Sequence, residues 1–152
     1  MNKKRGINKK GQNQISFGMI FSIILIIVFI TFAIFGIKKF LETNSIIQVE
    51  KFKSDFQEDV NDMWKSTQGS DTFEYFLPNK IEQVCFHDGE FGNVYFMPEG
   101  KYDEDTLNNI DIAKTIASSP SRPKKLCIDT EGGKISLTIK KAYNENLVTI
   151  TR

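Results

Sequence analysis

A single histidine and two cysteines in 152 residues are too few to build a Cys/His zinc site from those types alone. An excess of charge of one sign is missing too. Twenty basic residues against 19 acidic ones leave a net charge of +1, where a nucleic-acid binder shows a marked basic excess. No G-x-S-x-G, H-E-x-x-H, P-loop or dinucleotide fingerprint occurs, so no nucleophile elbow, zinc-protease helix or phosphate cradle is spelled out. The length admits one modest domain and an accessory segment.

What is present is unevenly distributed. Residues 1–43 carry Lys3, Lys4, Arg5, Lys9, Lys10, Lys38 and Lys39 against Glu42 alone, a net +6. Residues 44–152 carry 13 basic and 18 acidic residues, a net −5. Between Lys10 and Lys38 there is no charge at all. Within that window residues 15–37 read ISFGMIFSIILIIVFITFAIFGI, broken only by Ser16, Gly18, Ser22, Thr31 and Gly36. As a helix this run is about 34 Å long, enough for a hydrocarbon core of about 30 Å. It is apolar all round, and the residues that follow are too few to wrap so long a cylinder as a buried core helix. A cleavable secretory signal has a shorter apolar region and a small-residue cut site, whereas Lys38-Lys39-Phe40-Leu41-Glu42 follows here. The reading is a retained single-pass anchor in the lipid bilayer of the cell membrane. The basic residues before the helix keep residues 1–14 in the cytoplasm and place the C-terminal domain outside it. Lys38 and Lys39 reach the far headgroups.

Lys9-Lys10-Gly11-Gln12 followed by an apolar helix resembles the class III signal peptide of archaeal type IV pilin-like proteins. The resemblance covers residues 9–37. It implies a basic leader cut between Gly11 and Gln12 by a class III signal peptidase on the cytoplasmic side. Anchor and polymerisation core would then be one helix. Ser16 stands at mature position five, where that family usually has the Glu that neutralises a neighbouring subunit's N-terminus, and the whole apolar helix lacks a carboxylate. An uncleaved anchor, whose domain binds a partner or assists a membrane complex, is the other reading.

After residue 37 the period changes. Ile46, Val49, Phe52, Phe56, Val60, Met63 and Trp64 recur at spacings of three and four, predicting an amphipathic helix over residues 45–66 within a segment 38–69. Asn44 or Ser45 is its expected cap, and Gln68-Gly69-Ser70 its stop. Its apolar stripe is expected to pack on the domain's own sheet rather than on a partner helix. The remainder, residues 70–152, reads as strands and turns. Residues 72–77, 80–87, 93–97, 126–129, 134–143 and 147–151 alternate apolar and polar and are separated by Gly, Pro and Asn. Glu131-Gly132-Gly133 and Asn144-Glu145-Asn146 are expected hairpin turns. The fold class is thus α+β: a transmembrane helix, then an amphipathic helix packed on one antiparallel sheet of about six strands. A helical insertion near 103–117 is expected to start at Asp103-Glu104-Asp105 and to carry Leu107, Ile110, Ala113, Ile116 and Ala117 as its stripe, bounded by Pro120 and Pro123. Those three acids lack the spacing and closing Glu of an EF-hand.

Cys85 and Cys127 both fall in mid-strand. Alternation puts Val84 and Phe86 on one face and Leu126 and Ile128 likewise, so each cysteine faces the other way. That places the thiols on a wet face or under the insertion. Outside the cytoplasm a Cys85–Cys127 disulfide is chemically reasonable, the alternative being two separate buried thiols. His87 shares a face with Cys85, as a Cys-His nucleophile requires, but a lone strand histidine beside a turn reads first as a surface residue. The sequence therefore predicts no enzyme, no catalytic residues, no cofactor, no metal and no nucleic-acid partner. It predicts an anchored structural or adhesive protein, with self-association or a membrane-protein partner.

Overall fold

The computed structural model describes residues 17–118 and 124–152. Two compact units meet between Phe40 and Leu41. One helix, α1 (Phe17–Lys65), passes through that boundary. No Gly or Pro follows Gly36 within it, and Thr43-Asn44-Ser45 does not interrupt it. The expected cap at Asn44 or Ser45 is therefore absent. Ser45 instead turns its hydroxyl back to the Glu42 carbonyl at 2.8 Å, the accommodation available to a serine in mid-helix.

In the first unit every described side chain is exposed. An 18-residue window there has a mean hydropathy of 3.1, so α1 is long and apolar enough to span a membrane. Within this unit the two described hydroxyls are satisfied inside the helix: Ser22 donates to the Gly18 carbonyl and Thr31 to that of Ile27, each at 2.8 Å. Among the described residues, no hydroxyl donor is left bare on this apolar surface.

In the second unit α1 buries Val49, Phe52, Phe56, Val60 and Met63. Ile46 and Trp64, at the ends of the expected stripe, are 50% and 41% exposed. Among the described residues six strands follow: β1 (Gly69–Phe76), β2 (Gln83–His87), β3 (Val94–Met97), β4 (Lys125–Asp129), β5 (Lys134–Lys141) and β6 (Thr149–Thr151). They do not form the single sheet expected. β1-β5-β6 make one three-stranded sheet and β3-β2-β4 another, with all pairs antiparallel. The stripe of α1 joins them. Phe52 meets Tyr75 of the first sheet edge-on at 5.4 Å and Phe96 of the second at 5.9 Å. Phe56 likewise meets Tyr75 edge-on at 5.5 Å and Phe86 at a tilt at 6.0 Å.

The chain changes sheets between β1 and β2 and again between β4 and β5. Gly132 and Gly133 have φ of 61° and 77° and close a tight turn between Glu131 and Lys134. A Cβ on Gly133 would stand 2.7 Å from the Leu77 carbonyl oxygen and against Asn79, so glycine is required there. This turn was expected to join two paired strands. It instead carries the chain from β4, paired with β2, to β5, paired with β1. The Asn144 turn does join paired strands, β5 and β6.

The insertion differs as well. Asp105 does not begin a helix. Its backbone pairs with Val94 and extends the edge of the second sheet, while its carboxylate lies 3.1 Å from Lys53. Burial works against the charge on Lys53, but Glu50 and Asp105 outweigh it and raise its pKa. The helix, α2 (Ile112–Ala117), is one and a half turns long and is capped by Asp111, whose carboxylate accepts from the Lys114 N–H at 3.0 Å. Leu107 and Ile110 reach the core from the loop, not from a helix face. Asn93 holds Leu107 there by both its amide N–H and its carbonyl, at 2.7 and 2.8 Å.

Candidate functional site

The cysteine face of the second sheet is built by strand register. Gln83 lies opposite Asp129, Cys85 opposite Cys127, and His87 opposite Lys125. The Thr130 N–H donates to the Glu82 carbonyl, so by alternation these three pairs are of the closely spaced kind without mutual backbone bonds. The Cα atoms of Cys85 and Cys127 are 4.0 Å apart and their sulfurs 2.03 Å, at disulfide distance. Cys127, on β4, is half-buried; Cys85 is fully buried, so of the two expected settings, a wet face or a place under the insertion, the wet face does not hold for it. Its strand, β2, lies between two others, and α2 sits beside β2 and β4.

His87 is on the same side of β2, its ring edge-on to Tyr95 at 4.8 Å and its Nε2 3.6 Å from a Glu104 carboxylate oxygen. Lys125 donates to the Tyr95 hydroxyl at 3.0 Å. With the Cys85 sulfur at bonding distance from Cys127, this state offers His87 no free thiolate to activate. Among the described residues, no three His, Cys, Asp or Glu side chains are grouped to hold a metal ion. Gly11 and Gln12, the expected processing site, lie outside the described residues.

A concave surface that the sequence did not single out runs between one flank of α1 and β1. A groove of about 550 Å³ is lined there by Leu41, Gln48, Phe52, Tyr75, Leu77 and Pro78, among others. It continues past Asp55, Glu74 and Tyr75 into a hollow also lined by Glu58, Asp59 and Phe73. Lys51, Lys80 and the Gly132-Gly133 turn also line the groove, and in the hollow Asp55 pairs with Lys51 at 2.6 Å and Glu74 with Lys134 at 2.8 Å.

Between the two, the Tyr75 hydroxyl donates to the Asp59 carboxylate at 2.6 Å and ties β1 to α1. Burial first, and then the Asp59 carboxylate, push the Tyr75 pKa well above its ordinary value of 10.0. The unfolded chain therefore loses the Tyr75 proton at lower pH than the folded one. The stabilisation is complete below about pH 10 and is lost as pH rises above it. Thermal melting across this range is expected to show a steeper alkaline loss in the wild type than in Tyr75→Phe, whose curve lacks that component. Equal alkaline slopes would contradict the assignment.

Comparison of the chain with family models, with curated proteins and with solved structures finds no match in any of the three.

Proposed function

We propose that this chain is a single-pass, membrane-anchored protein of type IV pilin-like build. Its C-terminal domain stands outside the cytoplasm and acts structurally or adhesively, without catalysis. The observation that carries this reading is the change of character along α1. Up to Phe40 its apolar side chains are all exposed, and from Val49 onward a single stripe of them is buried beneath two sheets. Nothing in a water-soluble chain rewards the first arrangement, whereas a bilayer does. The basic residues from Lys3 to Lys10 hold the start of the chain at the cytoplasmic headgroups. Gly11 before Gln12 supplies the class III processing site.

A second reading is favoured by one specific observation. Ser16 occupies the position of the carboxylate that pilin-like assembly uses, and no other acid lies in the apolar run. On this reading the anchor stays uncleaved and the domain engages a partner. The N-terminus of the protein extracted from membranes separates the two. A chain beginning at Gln12 supports processing, and one beginning at Met1 or Asn2 supports the uncleaved anchor. Recovery of the full chain in the aqueous fraction after alkaline carbonate washing would overturn both.

A further inference from the structure

We draw no further inference here: the strongest candidate, the outer edge of β1 with the groove between it and α1, carries nothing, because Asp55 and Glu74 beside it are already paired with Lys51 and Lys134, Asp59 is held by Tyr75, and nothing in the structure shows what covers that edge.

Discussion

Phe56→Ala is expected to cost the domain about 3–5 kcal/mol, the usual loss when a fully buried aromatic ring is truncated. Phe56 has no exposed surface. Its ring lies 5.5 Å from Tyr75, 6.0 Å from Phe86 and 5.7 Å from Phe52. It therefore touches both sheets and the neighbouring turn of its own helix. The two sheets share no strand; they are held together by this stripe on α1, by the turns at Leu77 and Gly133, and by α2, which packs on β2, β4 and β6 and accepts the Ile150 N–H on the Thr115 hydroxyl. Deleting the ring opens a cavity where the layers meet, and neither sheet can move in to fill it without leaving the helix. In urea unfolding of the full chain, with a slope of about 1–3 kcal/mol/M, the midpoint is expected to fall by about 2 M. Phe91→Ala is the control. Phe91 is 82% exposed and its loss is expected to change stability by no more than about 0.5 kcal/mol. Indistinguishable midpoints for the two variants would mean that α1 does not join the sheets as described.

How much of this was legible in the sequence depends on which signal each residue carried. The charge-free run between Lys10 and Lys38 needs only counting. Its described part is a wholly exposed apolar helix, with Ile15 and Ser16 outside the described residues. The stripe from Val49 to Met63 repeats at the helical period, and the structure buries all five of its residues on the domain's own sheets. Period-two alternation also assigned Val84 and Phe86 to the face opposite Cys85, and the core holds both. Alternation tells which way a side chain points but not which strand lies alongside. The division into two sheets was therefore invisible, and the Gly132-Gly133 turn looked like a hairpin. The acids at 103–105 carried an ambiguous signal, because an Asp serves a strand bridge, an ion pair or a helix cap equally well; the cap fell to Asp111. The helix was not broken at Thr43-Asn44-Ser45 because weak helix formers cost little beside a packed stripe just downstream. The free edge of β1 could not be read at all. The composition of residues 69–76 was in view, but an edge is a property of the whole sheet.

The second large effect concerns Cys85 and Cys127. Replacing both by Ala is expected to destabilise the oxidised protein by about 4 kcal/mol, from the loop-closure entropy of a link spanning 42 residues. Register makes this link fit without displacing backbone, because the two positions are directly opposed in a closely spaced pair of the ladder. It also fixes the most distant closure in the second sheet, since β2 and β4 are separated in sequence by β3 and the insertion. The comparison to make is urea unfolding of the wild type, the wild type under reductant, and Cys85→Ala with Cys127→Ala. The reduced wild type and the double variant are expected to converge well below the oxidised form. Cys85→Ser alone is expected to be at least as damaging as the double variant, because it also places a hydroxyl where the native side chain is fully buried and has no hydrogen-bond role. Three coincident midpoints would show that the pair adds nothing. The same chemistry bears on where the domain lives. A disulfide between these strands persists in an oxidising compartment and is rare in the cytosol. Protein taken from membranes, denatured without reductant and treated with an alkylating reagent is expected to resist modification at both cysteines. Full alkylation would place the domain on the reducing side and reverse the orientation drawn from Lys3 to Lys10.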